Sequence, residues 1–115
     1  GIYGDKANAM GLPMFVPDDV HQERVMAAIY GPQGAKAGYT NGICREDLIS
    51  AAEYLVKTHG CNCLILGCTE LPLILDESAD FEVAGSRVIV VDPTAALARK
   101  VVKTAEDAYA ATGIR

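Results

Sequence analysis

Two short apolar runs, each followed by the signs of a helix start, constrain the fold of this chain more than any other feature. Residues 61–67 (CNCLILG) and 87–91 (RVIVV) contain unbroken apolar stretches, which are typical of parallel strands buried on both faces. The second run is followed by Asp92 and Pro93, a capping residue and a proline suited to the first helical turn. Residues 69–75 are predicted to form a short helix, and the polar residues 76–85 a loop.

Longer helices are expected around these strands. Residues 18–30 follow a proline and begin with two acidic residues that can cap a helix. Residues 45–59 repeat apolar residues at helical spacing, and a last helix is expected to end near residue 112. Residues 31–42 carry four glycines and a proline, so we expect a loop between the first two helices.

The order of these elements predicts the fold class. A third strand is expected at residues 12–16, after a short helix that contains Tyr3 and Ala7. Alternating strands and helices predict an α/β fold, with an open, mostly parallel, Rossmann-like sheet flanked by helices. Three strands are fewer than the roughly four to six of a typical sheet, and a βαβ unit normally opens with a strand. We therefore expect the fold to be incomplete, with further sequence upstream.

Composition excludes several classes of function. The 115 residues are 50% hydrophobic and 22% charged, as expected for one globular domain. A net charge of −5 argues against partners such as nucleic acid or an anionic membrane surface, and no apolar run approaches the roughly 20 residues that span a bilayer. Cys61 and Cys63 lack the second ligand pair of a zinc site, so we expect no metal. Cysteine is often buried, so we expect core positions for both residues. No feature suggests secretion, so we expect reduced thiols and a cytoplasmic location.

The residues 67–70 (GCTE) are the strongest candidate for chemistry. They follow the first buried strand, at the end of an open parallel sheet where ligands bind. A helix start favours the thiolate of Cys68, Thr69 adds a hydroxyl and an amide, and Glu70 is placed to orient a group or accept a proton. The alternative, to which the sequence gives equal weight, is that Cys68 is a small buried residue of the core. Lys36 is the cation of the glycine-rich loop that can reach over the site, unless it is an ordinary solvated lysine.

Residues 64–73 (LILGCTELPL) resemble the second catalytic-cysteine motif of the aspartate/glutamate racemase superfamily. Glutamate racemases usually carry histidine where this chain has Glu70, which is the aspartate-racemase version. Three further segments resemble the family in the same order, namely 16–26 (VPDDVHQERVM), 36–38 (KAG) and 91–93 (VDP). The resemblance covers nearly the whole chain.

This resemblance implies two similar α/β domains facing each other across a cleft, and racemisation without pyridoxal phosphate, metal or any other cofactor. It implies that Cys68 is one of two thiol acid/bases that remove or return the Cα proton. Thr69 would bind the α-carboxylate of the substrate and Lys36 its side-chain carboxylate, with Glu70 as a further substrate-binding residue. The expected substrate is aspartate or a similar carboxylate. Dimers are common in the family, so we expect a homodimer.

The cysteine motif of the family's first domain does not occur in this sequence. Residues 1–115 are therefore expected to be the C-terminal domain of a racemase, which racemises poorly or not at all without the other half or another subunit. Leu97, Val101 and Ala105 on the last helix would then lack their usual cover, which favours association with another chain. Two alternatives stay open: a related enzyme (maleate isomerase, hydantoin racemase or arylmalonate decarboxylase), or a non-catalytic remnant that binds a carboxylate or a partner subunit.

Overall fold

The computed structural model describes residues 13–112, which form three α-helices, two 3₁₀ helices and three strands. In chain order these are α1 (Asp19–Tyr30), a 3₁₀ helix (Ala35–Ala37), α2 (Ile43–His59), β1 (Cys63–Ile65), a second 3₁₀ helix (Leu71–Leu73), β2 (Ser78–Val83), β3 (Ser86–Val91) and α3 (Pro93–Thr112). None of the helices in this range has the length and apolar character needed to cross a membrane.

The three long helices lie where local sequence predicts, although α2 begins two residues earlier than expected, at Ile43. The Asp18 side chain caps α1 by accepting the backbone N–H of His21 at 2.9 Å. Gly60 ends α2 in the left-handed conformation, with φ of 66°. Asp92 accepts the N–H of Thr94 at 3.0 Å at the start of α3. The predicted helices at 18–30, 45–59 and up to residue 112 are therefore confirmed.

The sheet has the strand order β1-β3-β2. Strands β1 and β3 are parallel, with Leu64 paired to Val90, whereas β2 is antiparallel to β3. The predicted α/β class, an open sheet flanked by helices, is confirmed, but the sheet is mixed and not mostly parallel as predicted, because one of its two strand pairings is antiparallel. The loop predicted at 76–85 is wrong, because most of it is β2. Ala84 and Gly85 have φ of 53° and 75°, the positive values that a two-residue hairpin turn requires, and they return the chain directly into β3.

Other local predictions fail. Residues 13–18 have no regular structure, so the strand predicted at 12–16 is wrong over the part that the structure describes. Pro13 and Pro17 flank this segment and supply no N–H to a ladder. The short helix with Tyr3 and Ala7 lies outside the described residues. The helix predicted at 69–75 is reduced to the 3₁₀ helix over Leu71–Leu73.

One face of the sheet carries the core. Leu64, Val88 and Val90 point toward buried side chains of α1 and α2 in a single cluster. On the opposite face, Ile65 is 43% exposed and Ile89 is 49% exposed. Burial on both faces, as predicted from the apolar runs, is therefore wrong for the described residues, because the helices that build this core pack against one face only.

The last helix adds to the uncovered apolar surface. Leu97 and Val101 are exposed, as is Val102 beside them, and Ala105 is exposed as well. Leu97, Val101 and Ala105, for which the sequence predicts missing cover, are thus exposed in the part of the chain that the structure describes. Near the start of α3, Arg99 pairs with Glu77 at 3.0 Å, which connects the helix to the segment before β2.

Candidate active site

Cys68 lies just beyond the carboxyl end of β1. The N–H of Leu66 donates to the carbonyl of Val91 at 2.9 Å, which extends the pairing of the strands by one step. The chain then bends at Cys68 and turns over Thr69 and Glu70, and the Cys68 carbonyl accepts the N–H of Leu71 at 3.2 Å. The thiol is half-buried against the core. This is the edge of the sheet where open α/β folds bind ligands.

The helix start expected at the thiol is absent, since only a short 3₁₀ helix follows. The polar partner of Cys68 is instead the carboxylate of Glu70. The thiol donates to Oε2 of Glu70 at 2.8 Å, and the Thr69 hydroxyl donates to the same oxygen at 3.1 Å. The side chains of Cys68 and Thr69 therefore both donate to one oxygen of Glu70.

Lys36 reaches the same carboxylate from the loop after α1. Its Nζ lies 3.1 Å from Oε1 of Glu70, the oxygen that the thiol and the hydroxyl do not use. The ammonium also lies 5.3 Å from the ring centroid of Tyr30, within the range of a cation–π contact. The structure thus brings together the four residues that the sequence singled out, namely Cys68, Thr69, Glu70 and Lys36.

The loop that carries Lys36 is held against α1 by a close backbone approach. A Cβ at Gly34 would lie 2.7 Å from the carbonyl oxygen of Ala27 and 2.8 Å from that of Ala28. The N–H of Gly34 donates to the carbonyl of Gly31 at 3.0 Å, and Ala35 is buried next to it. Because glycine alone fits here, the loop stays close to the helix and places Lys36 over the site.

Charges in this cluster are mutually stabilised. The pKa of the Glu70 carboxyl is lowered from its ordinary value of 4.5 to about 2, first by the hydrogen bond from Cys68 and next by that from Lys36. The hydrogen bond to Glu70 in turn raises the pKa of the Lys36 ammonium. Both groups are therefore ionised at neutral pH.

Sequence reasoning missed Tyr30 as a neighbour of the site. It is the last residue of α1, directly before the glycine-rich loop, and its ring is exposed under the Lys36 ammonium. The sequence offered one sign of this contact, namely an aromatic residue at the end of a helix directly before a glycine-rich loop. The contact itself depends on how the loop folds back, which local sequence does not specify.

The remaining cysteines lie away from this cluster. Cys44 is buried, and its thiol contacts the carbonyl of Asn41 at 3.2 Å, a structural role. Cys61 is half-buried, and burial raises the pKa of its thiol. Cys63 is exposed on the uncovered face of β1, so its predicted core position is wrong. Within residues 13–112, no group of three or more His, Cys, Asp or Glu side chains could hold a metal ion.

Both histidines lie at helix ends, as part of an aromatic stack. The His21 ring stacks on Tyr54, and the His59 ring stacks on Phe15.

An open cavity of about 440 Å³ between α1 and α2 lies apart from the cysteine cluster. Its Arg24 is already paired, with Asp47 at 2.9 Å, so this cavity does not compete with the Cys68 site as a candidate.

Comparison with known proteins gives a family. The family model described as Asp/Glu/Hydantoin racemase matches residues 1–101. An uncharacterized protein in the pnlA 3′ region of Pectobacterium carotovorum subsp. carotovorum is 36% identical over 102 residues, covering 89% of this chain and 62% of that protein. The chain therefore spans less than two thirds of the length of this relative. No solved structure is significantly similar to the chain.

Proposed function

The chain belongs to the Asp/Glu/hydantoin racemase family, and from this premise we propose that it supplies one acid/base half of a cofactor-independent amino-acid racemase acting on aspartate. Cys68 is the acid/base residue in this proposal. The single observation that carries it is the convergence of a thiol, a hydroxyl, a carboxylate and an ammonium at the carboxyl end of β1.

The chemistry requires a base and donors at fixed positions. An α-proton is weakly acidic, so its removal depends on groups that stabilise the negative charge developing on the substrate. In the proposed reaction the Cys68 thiolate takes the α-proton from one face of Cα. Thr69 binds the α-carboxylate through its hydroxyl and amide, and the exposed ammonium of Lys36 binds the side-chain carboxylate.

Inversion at Cα needs a second group on the opposite face. The resemblance to the family implies a second thiol in another domain, and the partial coverage of the Pectobacterium relative is compatible with such a domain. We therefore assign racemisation to this chain together with that domain or another subunit. The chain alone is expected to exchange the α-proton of one enantiomer without inverting it.

Lys36 favours substrates that carry a second carboxylate, such as aspartate, over the hydantoins of the family. An ammonium held beside Glu70, the hydrogen-bond partner of the thiol, favours a substrate with a second carboxylate, whereas a hydantoin has no such group to pair with it. A carboxylate-binding remnant without catalysis would share the binding residues but would not exchange the α-proton. Substrate preference and exchange together separate these alternatives.

The test is hydrogen exchange at Cα in D₂O for aspartate, alanine and a 5-substituted hydantoin, followed by proton NMR. We expect aspartate to exchange fastest, and Lys36→Met to lower its rate at least about tenfold. Lys57→Met is the matched control, because Lys57 is an exposed lysine at the end of α2. Fast exchange of the hydantoin that Lys36→Met leaves unchanged would contradict the assignment to aspartate.

A further inference from the structure

A single carboxylate connects the cation and the thiol of the site. Oε1 of Glu70 holds the Lys36 ammonium at 3.1 Å, and Oε2 accepts the Cys68 thiol at 2.8 Å. The carboxylate therefore occupies the position where the side-chain anion of a substrate would pair with Lys36. Such an anion and Glu70 compete for the same ammonium.

We propose that the Lys36–Glu70 pair is a latch which the anionic side chain of the substrate opens, so that Glu70 loses its cation and becomes a stronger hydrogen-bond acceptor for the Cys68 thiol only when the site is occupied. This inference rests on the proposed function, since it requires an acidic amino acid to bind beside Cys68. It adds a control of the thiol that the reaction by itself does not require.

Exposure shows which partner of the latch an incoming anion can reach. The Lys36 side chain is 50% exposed, whereas that of Glu70 is 20% exposed. A carboxylate or sulfonate from solution therefore meets the ammonium first. Tyr30 flanks the ammonium on its other side, and its ring face can hold the cation while the partner changes.

Release of Lys36 changes how strongly Glu70 accepts the hydrogen bond from Cys68. In the closed latch, three donors stabilise the Glu70 anion, and the proton stays on sulfur. Loss of the ammonium removes a charge partner and a hydrogen bond, which makes the carboxylate a stronger proton acceptor. The hydrogen bond that Glu70 accepts from the Cys68 thiol becomes stronger, but no proton is transferred, because a carboxylate whose pKa rises from about 2 by about 1 to 3 units is still ionised at pH 7.

The titratable and charged side chains that face Glu70 in the described residues are few. Lys36 comes from the loop after α1, Cys68 from the turn that also carries Glu70, and Tyr30 lies behind Lys36. A change in the ionisation of Glu70 on ligand binding can therefore be traced to Lys36 by substitution.

The experiment follows the side-chain carboxyl carbon of Glu70 by ¹³C NMR in the full chain, from pH 7 to pH 3. Glu70→Gln assigns the signal, and L-cysteate is the probe, because its sulfonate stays ionised throughout this range. Without ligand, we expect little titration above pH 3, since the pKa of Glu70 is about 2. With saturating L-cysteate the midpoint should rise by about 1 to 3 pH units, as expected when an opposite charge is lost.

Two controls make the result specific. L-Alanine has no side-chain anion and should leave the midpoint unchanged. Lys36→Met should raise the midpoint without ligand, and L-cysteate should then add nothing. If L-cysteate shifts the amide of Thr69 but not the midpoint of Glu70, or if Lys36→Met leaves the midpoint near 2, the latch is overturned while the proposed substrate class stands. If L-cysteate shifts neither signal, the latch and the acidic substrate are both overturned.

Discussion

The ammonium of Lys36 lies 3.1 Å from Oε1 of Glu70, although Lys36 belongs to the 3₁₀ helix after α1 and Glu70 to the turn after β1. Lys36 follows α1, whereas Glu70 follows β1 and shares its turn with Cys68. The candidate site is therefore a tertiary feature, and its integrity depends on the packing that brings these loops together.

The Glu70 carboxylate should make stability depend on pH. Its pKa is lowered from 4.5 to about 2 on folding, so the unfolded chain binds a proton first as pH falls. The stabilisation is complete above the unfolded value and is lost as pH falls from about 4.5 to 2. Urea unfolding should therefore show a larger difference between wild type and Glu70→Gln at pH 7 than at pH 3.

Glu23→Gln is the matched control for that comparison. Glu23 is exposed on α1, and its replacement should change the free energy of unfolding by no more than about 0.5 kcal/mol. A difference between wild type and Glu70→Gln that is equal at both pH values would contradict the pairing of Glu70 with Lys36 and Cys68.

The two faces of β1 should respond differently to truncation. Leu64 is 7% exposed in the core, whereas its neighbour Ile65 points to the uncovered face of the sheet. Leu64→Ala should lower the free energy of unfolding by about 2 to 5 kcal/mol, because it leaves a cavity. Ile65→Ala should cost less than about 1 kcal/mol, since its side chain is half in solvent. Equal losses for both variants in urea unfolding would show that the second face is also packed.

Gly34 should be intolerant of any side chain. The Cβ of Gly34→Ala would press on backbone oxygens of α1, which cannot move aside as a flexible side chain does. We expect a loss of about 1 to 3 kcal/mol in the free energy of unfolding, as for overpacked sites. The loop would also shift, so Lys36 should bind L-cysteate more weakly. Gln33→Ala, at an exposed neighbour, is the control, and unchanged L-cysteate affinity in Gly34→Ala would contradict the positioning role of Gly34.

Helix limits were predictable because their causes are local. Asp18, Gly60 and Asp92 act within a few residues of themselves, and the structure places a cap at each. Strand β2 was missed because its sequence is polar and its pairing with β3 depends on the turn at Ala84, whose positive φ is unusual for alanine. The exposure of Ile65 was missed for a similar reason, since an apolar run does not reveal which helices cover it.

The part of the site whose residues are consecutive in the sequence was predictable. Cys68, Thr69 and Glu70 form one motif, Lys36 was singled out as the cation of the glycine-rich loop, and the resemblance to the family gave Lys36 its predicted role in binding the side-chain carboxylate. The hydrogen bonds that Glu70 accepts, and the ring of Tyr30 beside Lys36, depend on the meeting of two loops. No periodicity or spacing in the sequence specifies that meeting.

The central claim is that Cys68 exchanges the α-proton of aspartate, and deuterium incorporation at Cα tests it most directly. L- and D-aspartate are incubated separately in D₂O with wild type, Cys68→Ala and Cys63→Ala, the last removing an exposed cysteine of β1, and are followed by proton NMR. Wild type and Cys63→Ala should exchange one enantiomer, whereas Cys68→Ala should not exceed the rate without protein. Equal rates for wild type and Cys68→Ala, whether both exchange or neither does, would contradict the account.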